Sequence, residues 1–276
     1  MAGRHWIMTR PSFDLAAHCA AWMATYCKEQ KRKGFVIGVS GGVDSAVAST
    51  LAAMTGLPTM CITMPIEQAR PEIQRARAHL AWLARKFPNV EIHEMDLGQE
   101  FDGLARTFRA HVPRGRVQLA LVNTKSRLRL AAMYFCATTL DRLVVGTGNK
   151  VEHSGVGFFA KYGDGGMDLC PLQDLRKSEV VALGRKLGIS RAILRAAPTD
   201  GLWPDGRTDE DQIGASYPEL EWAMDLRENE VDSRGLKLTA RQREVLRIYD
   251  KRHADNQHKI AAPPACPLPQ GISWPS

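Results

Sequence analysis

The chain has 276 residues, 44% of them apolar and 24% charged, with a formal net charge of +7. That is enough to bury a full core, as one large domain or two small ones, and the composition is that of an ordinary globular protein. No apolar stretch approaches the length of a membrane span, and residues 1–14 lack the apolar core of a secretory signal, so the expected compartment is the cytoplasm.

Residues 1–10 read as a frayed start. Leu15, Ala16, Cys19, Trp22, Met23 and Tyr26 then recur at helical spacing, with Ser12 or Asp14 as cap. After the turn Lys31-Arg32-Lys33-Gly34, Phe35-Val36-Ile37 reads as a buried strand. It leads into Gly38-Val39-Ser40-Gly41-Gly42-Val43-Asp44-Ser45 and a small-residue run from 46 to 53, which is the order strand, glycine loop, helix. Unpaired N–H groups at a helix start bind anions, and glycines let a phosphate approach the backbone. Ser40 and Ser45 add hydroxyls. Asp44, an acid among phosphate-binding groups, makes sense with a divalent cation between it and the phosphates. No Gly-Lys-Ser/Thr follows, so this is not a Walker A loop. A plain helix start with packing glycines, capped by Asp44 or Ser45, is the bland alternative.

Residues 59–64 read as a second buried strand. Residues 72–87 form a helical pattern with Ile73, Ala76, Leu80 and Leu83 on one face, and 90–95 alternate like a strand. Strands alternating with helices argue for a parallel sheet, whose ligands bind beyond the carboxyl ends of the strands, where the glycine loop falls. Residues 101–116 are arginine-rich and show no clear period. Residues 118–140 are a long helical pattern and 143–145 a short strand, followed by Gly146-Thr147-Gly148-Asn149-Lys150. Residues 152–168 form a glycine-rich loop without periodicity, and 198–212 a second, polar loop. A helix at 178–187 stops at Gly188, and a last one at 238–251 is capped by Thr239. Residues 261–276 hold five prolines and read as a tail that orders only if it docks. There is no internal repeat.

The six cysteines form no C-x-x-C pair, which supports neither a zinc knuckle nor a dithiol motif, and most read as buried thiols. The positive balance suits an anionic partner. Arginines gather at 106–129, but a solvated helix face plus a phosphate pocket explains them better than nucleic acid does.

Ser40 to Ser45 resembles the SGGxDS pyrophosphate loop of ATP pyrophosphatases, which split ATP into AMP and pyrophosphate while adenylylating a substrate oxygen. The second half narrows the resemblance. Asn123-Thr124-Lys125-Ser126-Arg127, Gly146 to Glu152, Phe158 to Asp168, Pro171-Leu172, Ala197 to Leu202 and His258-Lys259 are together similar to ammonia-dependent NAD synthetases, in that family's order from about residue 35 to 260. The resemblance implies an α/β fold, a parallel-sheet, adenine-nucleotide α-hydrolase-like (Rossmann-like) three-layer arrangement, as a single domain over 1–276. It implies conversion of nicotinic acid adenine dinucleotide to NAD in two steps. The carboxylate first attacks the α-phosphorus of ATP, and ammonia then displaces AMP from the acyl-adenylate. A carboxylate oxygen leaves badly, and adenylylation supplies the good leaving group.

The resemblance also assigns residues. Gly38, Val39, Ser40, Gly41, Gly42, Val43, Asp44 and Ser45 hold ATP phosphates, with Thr147, Lys177 and Thr199 as further ATP contacts. Asp44 and Glu152 are the magnesium carboxylates and, with Lys177, the catalytic set. Arg127, Lys161, Asp168, His258 and Lys259 contact the deamido dinucleotide. By itself Arg127 reads as a solvated charge, whereas Lys161 between two aromatics is oddly placed for one. Asp164 remains open as a turn-former beside glycine. Two departures stand out: the segment from Glu152 to Lys161 is one residue longer than the family's usual spacing, and the tail is proline-rich. A homodimer is implied, with the 118–140 helix and its arginines as candidates for the interface, and no membrane or nucleic-acid partner is expected. Residues 1–34 are too short for a glutaminase domain of ~100 residues or more, so free ammonia, or ammonia from a separate glutaminase, is expected. The competing readings are a tRNA-modifying ligase or thiolase with the same loop, and a nucleotide-binding protein without catalysis.

Overall fold

The computed structural model describes residues 13–230 and 235–268. Its centre is a four-stranded parallel sheet in the order β3-β2-β1-β4, made of β1 (Phe35–Gly38), β2 (Thr59–Thr63), β3 (Val90–Glu94) and β4 (Leu143–Val144). Phe35 lies opposite Thr59 on one side and Leu143 on the other. The inner strands β1 and β2 are almost wholly buried, as strands covered on both faces must be, while the edge strand β3 carries its charged residues in solvent.

Alternation along β1 sets the layers. Phe35 and Ile37 face a core shared with α1 (Leu15–Glu29), α2 (Val43–Met54), α3 (Arg70–Lys86) and α6 (Lys177–Leu187). Val36 faces the opposite core, with α4 (Gly98–His111) and α5 (Val117–Leu140). The result is helix, sheet, helix, the three-layer arrangement expected. The small-residue run in α2 has its reason here. Ala46, Ala48, Ser49, Ala52 and Ala53 are buried where α2 packs against α1, α6 and the sheet, and larger side chains would not fit.

A third apolar cluster lies beyond the sheet. It joins Val151 and Val156 to residues of α8 (Asp209–Ile213), α9 (Tyr217–Glu228) and α10 (Ala240–Asp255). Two further single-turn helices, α7 (Arg191–Leu194) and α11 (Gln257–Ile260), connect and end this part.

The cap of α1 is Asp14, whose carboxylate accepts from the N–H groups of Ala16 and Ala17 at 3.1 and 3.2 Å; the alternative, Ser12, falls outside the described residues, as do residues 1–10 and the end of the tail from 269. Thr239 caps α10 in a reciprocal capping box with Gln242, and Gly188 stops α6 at φ 82°. The arginine-rich stretch 101–116 is helical as far as His111. Phe101 and Ala105 of α4 are its buried stripe, and the arginines point to solvent. Four of the cysteines are buried, Cys170 is half-buried and Cys266 exposed. No helix among the described residues is long and apolar enough to cross a membrane.

Candidate active site

The chain steps from β1 outward to β2 and β3, then returns to β4 on the other flank of β1. The direction of winding therefore reverses at the carboxyl ends of β1 and β4, which opens a crevice there. A cleft of about 240 Å³ occupies it. The loop after β1 forms one wall. Ser45 Oγ donates to the carbonyl of Gly42 at 3.1 Å and accepts from the Ser40 N–H at 3.2 Å, which folds the loop over the start of α2. Gly41 has φ +89°, and a Cβ there would sit 2.4 Å from the carbonyl oxygen of Glu72, so only glycine lets the loop lie against α3. Arg75 Nε fixes the same turn by donating to the Gly41 carbonyl at 3.1 Å.

Asp44, in the first turn of α2, and Glu152 face one another across Lys177. The Lys177 ammonium donates to Asp44 Oδ2 at 2.5 Å and to Glu152 Oε1 at 3.0 Å. Fully buried Asn149 holds both acids: its Nδ2 donates to Asp44 Oδ1 at 3.2 Å, and its Oδ1 accepts from the Glu152 N–H at 3.2 Å. Burial pushes the Asp44 carboxyl upward, against the pull of Lys177. Burial opposes ionisation of Glu152 too, but the Lys177 charge and the Tyr217 hydrogen bond outweigh it and hold that carboxyl below its usual range. The two acids in turn overcome the burial of Lys177 and keep it protonated.

The chain of contacts continues inward. The Tyr217 hydroxyl lies 2.5 Å from Glu152 Oε1 and 3.0 Å from Asp209 Oδ2. A phenol has one proton to donate, so two ionised carboxylates cannot both be satisfied by it. Burial, then the Glu152 charge, push the Asp209 carboxyl up to about 7, and Asp209 supplies the missing proton itself. Folded Asp209 thus holds its proton more tightly than unfolded Asp209. Its contribution to stability is complete below about pH 4, the unfolded value, and is lost as the pH rises through about 7. Asp209→Asn removes that loss. The melting temperature of D209N minus that of the native protein should grow between pH 4.5 and 7.5, and a flat difference would refute the assignment.

Thr147 and Thr199 line the same cleft, so every residue expected to contact ATP lies on it except Gly41, which is turned into α3. The residues expected to contact the dinucleotide divide. His258 and Lys259 line a second cavity of about 920 Å³ that shares Phe158, Asp164, Asp200 and Leu202 with the first. Lys259 Nζ donates to the carbonyls of Gly157 and Phe159 at 3.0 Å each, which ties α11 to the glycine-rich loop. Lys161 donates to the His258 carbonyl and Arg127 to the Lys161 carbonyl, so these two brace the loop outside both cavities. Asp168 is held behind the site, accepting from Tyr134 Oη at 3.0 Å and the Val144 N–H at 2.7 Å. Asp164 accepts from Ser126 Oγ at 2.6 Å and the Ala160 N–H at 3.0 Å, closing the turn beside the glycines.

Val151–Gly155 is a π-helix, closed by the Val156 N–H on the Val151 carbonyl at 2.9 Å. Glu152 keeps its place in the cleft, and Gly155 passes under Met224 and His253.

Sequence reasoning gave no role to Asn149, Tyr217, Asp209, Arg75, Arg129 or Lys125. Asn149 and Asp209 lay inside stretches already marked. Tyr217 carried no signal, because its partner is 65 residues away. Lys125, 4% exposed, joins the Leu202 carbonyl to Glu67 Oε2 at 2.8 Å each and so spans the two loops that roof the cleft.

A family model described as NAD synthase matches residues 15–263. The NH(3)-dependent NAD(+) synthetase of Methanosarcina mazei is 36% identical over 239 residues, 84% of this chain and 89% of that one. The solved NMN synthetase of Francisella tularensis superposes with a TM-score of 0.78 at 30% identity, covering 94% of this chain and 100% of the other. The NH3-dependent NAD synthetase of Campylobacter jejuni, at 21% identity and TM-score 0.72 over 92% of this chain and 98% of its own, shares the fold.

Proposed function

The chain belongs to the NAD synthase family, and from that premise we propose that it makes NAD from nicotinic acid adenine dinucleotide, ATP and ammonia, with release of AMP and pyrophosphate. It is a ligase forming a carbon–nitrogen bond. The observation that carries the reading is the meeting of two cavities at the switch point of the sheet. One is walled by the phosphate loop and the Asp44–Lys177–Glu152 cluster, and the other by Arg116, Lys251, Arg252, His258 and Lys259.

In the first step a carboxylate oxygen of the acceptor bonds to the α-phosphorus, the bond from that phosphorus to the bridging oxygen breaks, and pyrophosphate leaves. The free N–H groups at the start of α2 receive the departing group and spread its charge, while the Ser40 and Ser45 hydroxyls, bonded to each other and to Gly42, hold the loop that presents them. Thr147 and Thr199 hold the nucleotide from the other loops. In the second step ammonia adds to the acyl carbon, AMP departs, and one proton is released. Roofing by the 198–212 loop, pinned by Lys125, keeps water from taking the acyl-adenylate first.

Asp44 and Glu152 direct oxygens at one cationic point, where the Lys177 ammonium lies. Hard oxygens from two separate helical turns suit magnesium, and among the described residues no three acidic, histidine or cysteine side chains cluster to bind a metal unaided. Asp44 and Glu152 would hold the ion, which would supply neutralisation of the triphosphate. We further take the protein to be cytoplasmic and a homodimer without nucleic-acid partners. Phe135 of α5, 71% exposed, and Val112, 66% exposed just past α4, are apolar positions for a subunit contact.

One observation favours a second acceptor. The whole of the Francisella NMN synthetase is covered at the higher TM-score. The acid whose amide is NMN lacks the AMP half of the dinucleotide, and both acids present the same carboxylate. Purified protein with ATP, magnesium and an ammonium salt is therefore assayed against each acid. Equal amounts of amide and AMP establish the reaction and its acceptor. AMP without amide points to another acceptor, and neither product from a folded protein overturns the reading.

A further inference from the structure

Arg129 is an arginine of α5 whose bonding is incomplete. Its Nε donates to the carbonyl of Met64 at 2.9 Å, just past the carboxyl end of β2. Its Nη2 is buried and has no hydrogen-bond partner, and the side chain lines the cleft. It makes no ion pair among the described residues, although the charges of Glu72, Asp164 and Asp200 act on it from a distance. Burial lowers its pKa to about 10, which leaves it protonated at neutral pH. A buried guanidinium with an unpartnered N–H, on a residue that lines the cleft, calls for an anionic oxygen.

Which oxygen follows from the placement. The phosphate loop and the start of α2 form one wall and hold the departing end of the triphosphate. Arg129 comes from α5. Two of the acids it senses, Asp164 and Asp200, line both cavities, which sets Arg129 beside their junction. The phosphate lying between the departing group and the acceptor is the α-phosphate. Resting on the amidation reading above, we propose that Arg129 binds a non-bridging oxygen of the ATP α-phosphate and stabilises the charge that builds there as the carboxylate oxygen bonds to phosphorus and pyrophosphate leaves. The fork of a guanidinium is needed for this, because Nε stays on the Met64 carbonyl while Nη2 meets the phosphate. A lysine presents its donors from a single nitrogen and cannot reproduce the planar spacing of Nε and Nη2.

The test is acceptor-dependent exchange of pyrophosphate into ATP, which reads the first step alone. Arg129→Met should lower kcat for exchange by about 10²- to 10³-fold, the effect of removing one donor aimed at developing charge. The KM for ATP should move by less than about fivefold, because the contact strengthens in the transition state. Guanidinium salt added to R129A should restore part of the rate, which a merely structural arginine would not allow. Arg129→Lys, which keeps the charge if the shorter variants fold poorly, should lose about tenfold or more, since an Arg-to-Lys change at a forked contact is not conservative. A folded R129M within threefold of the native kcat overturns the proposal. So does a raised KM with kcat unchanged, or an R129K as fast as the native enzyme. If the native enzyme itself shows no acceptor-dependent exchange, it is the amidation reading that fails.

Discussion

Asp44→Asn should lower kcat by about 10³-fold or more while the protein stays folded. The carboxylate is the acid of the first turn of α2, next to the phosphate loop, and it lines the cleft. Asn keeps the shape and one acceptor, and with its Oδ1 toward Asn149 Nδ2 that contact survives. What it loses is the charge facing Lys177. Because burial already makes that charge costly, its removal offsets part of the lost ion pair. The melting temperature should accordingly move by only a few degrees, since ~1 kcal/mol corresponds to about 2–4 °C in a chain of this size. Steady-state rates with circular dichroism on the same sample check both halves. A folded D44N with more than a tenth of the native rate would remove Asp44 from the metal and from catalysis.

Much of this site was legible in the sequence, and the reason is physical. The phosphate loop needs a strand before it, a helix after it and glycines between, and all of these leave a local pattern. Gly41 shows the pattern from the structural side, because its φ of +89° and the close carbonyl of Glu72 admit nothing larger. Glu152, Thr147 and Lys177 had no local pattern at all. Their assignment came from resemblance, and the structure sets all three on the cleft. Residues that act through long-range contact were silent. Tyr217 sits in a segment that had no assigned element, and its hydroxyl matters only because folding brings Glu152 and Asp209 to it. Arg129 lay in plain view among arginines that read as a solvated helix face plus a phosphate pocket, with nothing to say which belonged to which. Its neighbour Arg127 is exposed as that reading has it, and only three-dimensional packing separates the two. The irregular stretch after Glu152 defeated periodicity for a different reason, since a single π-turn has neither the 3.6-residue nor the two-residue repeat.

Lys177→Met tests the other half of the cluster, and its main effect is on stability. The ammonium is 9% exposed and lies between carboxylates that are 15% and 16% exposed, with the ring of Tyr217 at 4.7 Å. Methionine fills the volume but leaves Asp44 and Glu152 facing each other with no opposite charge. Removing one partner from a buried ionic group costs about 3–5 kcal/mol, because the stranded charges keep their desolvation penalty and lose their compensation. At about 2–4 °C per kcal/mol the melting temperature should fall by roughly 10 °C. The origin of that loss is separable from simple packing by a double-mutant cycle. In D44N/K177M one stranded carboxylate has gone, so the pair should be more stable than K177M alone, although each single change is destabilising or neutral by itself. If the two changes instead add, the buried charges are not what Lys177 offsets, and its role is confined to the nucleotide. Activity gives the second readout. Restored stability in D44N/K177M should bring back no turnover, because the double mutant has lost both the acid that faces the triphosphate and the cation that holds the two acids together.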